Sequence, residues 1–145
     1  MDELRRAREA AGLTQAALAA LTGVAASNVS AYETGRRRAS PAMRRRLLAA
    51  ATLPSQRLAA HREGALALIA RRGGENPRVF GSVATGRETP SSDIDLLVRV
   101  PPERAWDSVA LRPELEELLG VRVDLVSEGG LQARHQDILD QAVPL

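Results

Sequence analysis

Three carboxylates and a glycine–serine pair in the second half of this 145-residue chain have types and spacing that suit phosphate chemistry. Phe80-Gly81-Ser82 is followed, after ten intervening residues, by Asp93-Ile94-Asp95. On a strand, residues two apart share a face, so Asp93 and Asp95 point the same way. Carboxylates held that closely repel each other unless a cation sits between them. Hard oxygen donors favour Mg²⁺ or Mn²⁺. A third acid, Asp124, interrupts the apolar alternation Val121-Arg122-Val123-Asp124-Leu125-Val126, where a carboxylate is costly without a metal or a partner. Gly81 and Ser82 directly after a strand offer backbone N–H groups and a hydroxyl to a triphosphate tail. Metal-assisted handling of a nucleoside triphosphate is the chemistry these residues suggest.

Those side chains need a small sheet to hold them. Arg78–Gly81 and Asp93–Val100 read as strands, the second with Ile94, Leu96, Val98 and Val100 on one face, and Val121–Val126 as a third. Residues 103–119 read as a helix that Pro113 must start or kink, and about 131–142 as a last helix. Ahead of Gly73-Gly74 the pattern is purely helical. The expected helices are Asp2–Ala11, Gln15–Thr22 behind a Thr14 cap with Leu18 and Leu21 inward, 25–34 with Val29 and Tyr32 inward, and a fourth opened by Ser40-Pro41. A long amphipathic helix over Ser55–Arg72 follows, after a boundary near 52–55 marked by Pro54. The expectation is therefore an α/β protein: an all-α N-terminal domain over 1–53 and a small α/β domain with a mixed sheet over 54–145.

All 20 basic residues are arginine and the net charge is only +2, but its distribution is uneven. Residues 1–72 carry 13 Arg against 5 acids, and residues 73–145 carry 7 Arg against 13. A basic half beside an acidic half suits a nucleic-acid-facing segment next to one that holds cations. The absence of cysteine excludes disulfides and thiolate metal sites, and two histidines are too few for a His-rich zinc site. His61 and His135 read as helix-surface residues. No apolar run reaches membrane-spanning length, so no membrane partner and a cytoplasmic location are expected.

Over residues 4 to about 50 the chain resembles the helix-turn-helix of the Cro/cI (XRE-type) repressor family. The resemblance rests on Gly12-Leu13-Thr14-Gln15, Ala17-Leu18, Gly23 at the turn, and Val29 ahead of Tyr32-Glu33-Thr34-Gly35. It implies that Ala26, Ser27, Ser30 and Ala31 face base edges and that Gln15 and Asn28 meet phosphate oxygens. Arg36, Arg37 and Arg38 would neutralise backbone charge. The reading face has no Arg or Gln for a bidentate base contact, so a homo-oligomer on a repeated operator is expected.

Over roughly 60–145 the chain resembles the minimal nucleotidyltransferases of the DNA polymerase beta superfamily. That resemblance implies metal binding and catalysis by Asp93, Asp95 and Asp124, nucleotide binding by Gly81, Ser82 and Arg87, and Mg²⁺ (or Mn²⁺) with ATP as substrate. Asp124 would take the proton of the attacking hydroxyl. Thr85 departs from the arginine that many members carry there. Minimal nucleotidyltransferases often resemble antitoxins that transfer AMP to a tyrosine of a HEPN ribonuclease toxin encoded nearby. The implied function is an antitoxin-like protein adenylyltransferase that also represses its own operon. The alternative is a transcriptional regulator whose second domain binds nucleotide or a partner without turnover.

Overall fold

The computed structural model describes residues 2–145, which fall into two compact units meeting between Leu53 and Pro54. The first is built from four helices: α1 (Asp2–Ala10), α2 (Gln15–Thr22), α3 (Ala26–Glu33) and α4 (Pro41–Ala50). Local sequence sets their ends. The Thr14 hydroxyl accepts the Ala17 N–H at 3.0 Å and the Ser40 hydroxyl accepts that of Met43 at 3.1 Å, each satisfying a first-turn donor. Gly23, at φ +70°, ends α2 in the left-handed conformation and makes the sharp turn into α3. Leu4, Leu18, Val29 and Leu47 are fully buried against Val24, Tyr32 and Ala51. Leu21, expected inside, is 45% exposed instead. It lies three residues beyond Leu18, and the short α2 packs only a narrow stripe inward.

One ion pair crosses this small core. The Arg8 guanidinium donates to both Glu33 carboxylate oxygens, at 2.7 and 3.1 Å, and Gln15 adds a third donor at 2.9 Å. Burial pushes the Glu33 pKa up, but the hydrogen bonds from Arg8 and Gln15 outweigh it and the net shift is downward. The Arg8 pKa is raised by the same contact. The pair ties α1 to the end of α3.

The second unit contains α5 (Pro54–Ala60), α6 (Arg62–Arg71), β1 (Glu75–Phe80), α7 (Gly81–Thr85), β2 (Ile94–Arg99), α8 (Ser108–Leu119), β3 (Val123–Ser127), α9 (Gln136–Gln141) and β4 (Val143–Pro144). The sheet runs in the order β3-β2-β1-β4, with β2 and β3 parallel and the other pairs antiparallel. It is mixed, as expected. Its covered face carries Ile94, Leu96 and Val98 from β2 and Val123 from β3. These pack on Leu58, Ala65 and Ile69 of α5–α6 and on Leu111, Leu115 and Leu119 of α8. Arg72, capping α6, pairs with Glu114 and, at 3.5 Å, with Asp107, fastening α6 to α8.

Several elements differ from the sequence expectation. The 55–72 segment is two helices, because the backbone at His61 (φ −118°, ψ 21°) leaves the helical region between α5 and α6. Residues 103–107 are not helical: α8 starts at Ser108, where the Asp107 side chain accepts the Ala110 N–H. Pro113 lies inside α8. The expected 131–142 helix shrinks to a 3₁₀ turn at Ala133–His135 followed by α9. Strand β1 begins earlier than expected, at Glu75, with a register shift between Glu75 and Arg78 and Asn76 at φ +46°. Strand β3 starts two residues later than expected. Residues 143–144 form the edge strand β4 on β1, which periodicity over so short a segment cannot signal.

Candidate active site and nucleic-acid interface

The sheet register brings the predicted carboxylates to one end. Asp95, at the start of β2, pairs with Asp124 on β3 and faces Phe80, the last residue of β1. Parallel neighbours in register present their side chains on the same face, so Asp95 and Asp124 stand side by side. Asp93 immediately precedes β2, whose first N–H (Ile94) donates to the Arg122 carbonyl at 2.9 Å. Burial, the charge of Asp124, a hydrogen bond with Asp124 and the charge of Asp93 together push the Asp95 pKa from 3.8 up to about 6. The three acids therefore share one electrostatic environment.

Gly81 closes the site from the other side. It follows β1 with φ +71°, and a β-carbon there would collide with an Asp95 carboxylate oxygen. Only glycine lets the chain turn so close to that acid. Ser82, the second residue of the short α7, is half-buried, and Gly86, at φ +73°, ends the helix. Arg87 follows, exposed, with its N–H on the Ser82 carbonyl at 3.0 Å. Thr85 donates its hydroxyl back to the Gly81 carbonyl at 3.0 Å and so spans the turn. Gly81, Ser82, Asp95 and Asp124 are thus gathered within one corner, with Asp93 just ahead of β2 and acting on Asp95 through its charge. Arg87 lies at its rim.

Two further side chains border the corner and a third supports the loop that leads into it. The Gln141 side-chain carbonyl accepts the Gly81 N–H at 3.2 Å. Arg112 of α8 lies 3.9 Å from Asp124 and 3.3 Å from Glu116. Glu88 accepts the Ser55 hydroxyl and N–H, holding the loop that leads to Asp93 against α5. Nothing in the sequence marks Gln141 or Glu88, which lie 60 and 33 residues from their partners. Arg112 has a weak signal only, as a basic residue on the helix that precedes β3.

The donor chemistry, hard carboxylate oxygens with an acid whose ionisation is resisted by two neighbours, fits a divalent cation. The acids are nonetheless not a finished coordination shell. Among the described residues no group of three His, Cys, Asp or Glu is spaced to hold an ion.

In the first unit, α3 follows the tight Gly23 turn and leaves Ala26 and Ser27 exposed, with Ser30 and Ala31 less so. Arg36, Arg37 and Arg38 follow, all exposed. Arg37 donates to the Asn28 side-chain carbonyl at 2.9 Å and lies 5.9 Å from the centre of the Tyr32 ring. A cavity of about 700 Å³ beside it is lined by Tyr32, Gly35, Arg37, Arg38, Ala39, Pro41 and Arg44. Gln15, expected to meet phosphate, is engaged with Glu33.

Comparison with known proteins gives two family matches along the chain. A helix-turn-helix domain family matches residues 2–63, and a nucleotidyltransferase domain family matches residues 67–143. The chain belongs to the nucleotidyltransferase domain family. A curated relative from Methanocaldococcus jannaschii, provisionally named a protein adenylyltransferase, is 35% identical over 78 residues, or 52% of this chain and 84% of the relative. A solved structure described as a provisional minimal nucleotidyltransferase is 48% identical with a TM-score of 0.56, covering 63% of this chain and 95% of its own. The protein is thus a helix-turn-helix domain joined to a nucleotidyltransferase domain. Among the described residues no helix is long and apolar enough to cross a membrane.

Proposed function

We propose that residues 54–145 transfer AMP from ATP to a hydroxyl of a protein partner, and that residues 1–53 bind operator DNA to regulate the same operon. The observation that carries the catalytic half is Asp95 standing beside Asp124, with Asp93 acting on it, next to a glycine that fits its position only because it lacks a side chain. The relative named as a protein adenylyltransferase supports AMP as the transferred group and a protein as its acceptor.

In this reading Gly81 and Ser82 hold the phosphate tail, Arg87 adds charge at its rim, and Asp93, Asp95 and Asp124 hold Mg²⁺ or Mn²⁺. What a bound divalent cation supplies is neutralisation of charge at the α-phosphate. The acceptor oxygen forms a bond to the α-phosphorus, the bond to the bridging oxygen breaks, and its electron pair leaves with pyrophosphate. Asp124, the more exposed of the facing pair, takes the hydroxyl proton. The acceptor we favour is a tyrosine of a HEPN-type toxin from an adjacent gene, which the resemblance to antitoxins suggests. On the DNA side, Arg36, Arg37 and Arg38 supply phosphate contacts, with Gln15 and Asn28 beside them. The faces of Ala26, Ser27, Ser30 and Ala31 enter the groove, on a homo-oligomer reading a repeated operator.

Incubation with ATP, Mg²⁺ and the product of the neighbouring gene is the test. The expected result is a mass gain of whole AMP units on that product, absent for the Asp93→Ala/Asp95→Ala variant. No gain on an authentic partner refutes the transferase. A second reading, a regulator that binds nucleotide without turnover, draws on the carboxylates' incomplete ion-holding geometry among the described residues. It predicts that ATP changes promoter affinity while no covalent product forms.

A further inference from the structure

The carboxylate corner has two flanks. In the sheet order β3-β2-β1-β4, Gly81 and Ser82 lie beyond Asp95 on the β1 side, and Asp124 lies on the β3 side. On the β3 side is a cavity of about 410 Å³ lined by Ser108, Val109, Arg112, Asp124 and Leu125. We propose that this groove between α8 and β3 receives the acceptor. Its occupant is a polypeptide segment whose hydroxyl-bearing side chain sits next to an acidic residue. Val109 and Arg112 recognise that segment. The inference rests on the transfer reading above and adds where the acceptor docks and what it looks like.

Direction of attack gives the first argument. In phosphoryl-type displacement the attacking and leaving oxygens lie roughly in line, on opposite sides of the phosphorus. With the pyrophosphate end of the nucleotide on Gly81 and Ser82, the nucleophile must come from the Asp124 side. The acceptor oxygen then bonds to the α-phosphorus as pyrophosphate leaves with the electron pair of the broken bond, and the acceptor proton passes to Asp124. A side chain standing in the groove reaches Asp124 without crossing the nucleotide.

The walls give the second. Val109 is 85% exposed, the most exposed of the large apolar side chains among the described residues. It sits one helical turn before Arg112, so both project from the same side of α8. Leu125 adds a half-buried apolar surface. An apolar body with a hydroxyl tip suits this combination. Charge separates the classes of acceptor. Among the described residues Arg112 is the only cation lining the groove, and it is flanked by Glu116 at 3.3 Å and Asp124 at 3.9 Å. A polynucleotide would bring several phosphates against those carboxylates. A peptide with one acid beside its hydroxyl brings a single charge for Arg112.

The full-length protein tests this with ATP, Mg²⁺ and three probes. These are a capped tripeptide with tyrosine between two glutamates, its counterpart with lysines, and a DNA oligonucleotide with a free 3′-hydroxyl. The expected result is AMP transfer to the glutamate-flanked peptide in preference to the other two. Val109→Glu and Arg112→Glu should each raise KM for that peptide about tenfold while KM for ATP moves less than about twofold. An unchanged peptide KM in both variants, a preference for the lysine peptide, or labelling of the oligonucleotide alone overturns the proposal. Thermal shift of the wild type with ATP and Mg²⁺ separates the two levels. ATP binding without transfer to either peptide counts against the groove alone, whereas no ATP binding removes the transfer reading and the groove with it.

Discussion

Replacing Asp95 with asparagine should stabilise the metal-free protein while removing its proposed activity. Asp95 is half-buried between Asp124 and Asp93, and its pKa rises from 3.8 to about 6. In an unscreened site that difference corresponds to about 3 kcal/mol held against the ionised folded state. Solvent reaches much of the side chain and screens its neighbours, which reduces the figure to about 1–2 kcal/mol. The sign follows from linkage. An acid whose folded pKa is raised contributes stability that is fully present below its unfolded pKa near 3.8 and lost as pH rises through about 6. At pH 7.5 the wild type therefore carries the whole penalty and Asp95→Asn carries none. Urea denaturation in the presence of a chelator, followed on the second unit, should show the variant more stable by about 1–2 kcal/mol at pH 7.5. The advantage should shrink steadily as the pH is lowered toward 4. A variant no more stable than wild type at pH 7.5, or an advantage that grows on acidification, refutes the proposed crowding of carboxylates.

Other perturbations follow from the same geometry. Gly81→Ala forces a left-handed backbone onto alanine and drives its β-carbon into Asp95, so nucleotide-dependent activity should vanish with a loss of about 1–3 kcal/mol in stability; unchanged turnover would contradict the geometry. Arg8→Ala removes the counter-charge and two hydrogen bonds of the buried Glu33 carboxylate and should cost about 3–5 kcal/mol by denaturant titration of the first unit. Arg8→Met with Glu33→Leu should cost far less. Changing Arg36, Arg37 and Arg38 to alanine should lower promoter affinity and flatten the salt dependence, by about 0.9 in log–log slope for each phosphate that is no longer neutralised. An unaltered slope in gel shifts over a salt series would remove these arginines from the interface.

The parts of the molecule that can be read from sequence are those governed by short-range rules. Thr14, Ser40 and Gly23 act within a few residues of themselves, and the helices they bound fall where the sequence places them. The Asp-x-Asp pair and Asp124 are visible because alternation makes an acid within a strand conspicuous. What cannot be read depends on tertiary structure. The break at His61 has no proline or glycine at its centre, and β4 is too short to show a period. Gln141 and Arg112 matter only because the sheet and α9 fold them back to Gly81 and Asp124. Leu21 shows the opposite failure, a residue whose spacing suggests burial but which this small bundle leaves largely uncovered.

The central claim is that the three acids and the glycine–serine turn together hold a metal–nucleotide complex. Calorimetric titration of the full-length protein with Mn²⁺ and an ATP analogue that cannot be cleaved between the α- and β-phosphates tests it most directly. The account predicts that the analogue binds only with Mn²⁺, and that Asp93→Ala with Asp95→Ala abolishes binding in a protein that remains folded. Binding of equal strength by the wild type and the folded double variant would contradict it.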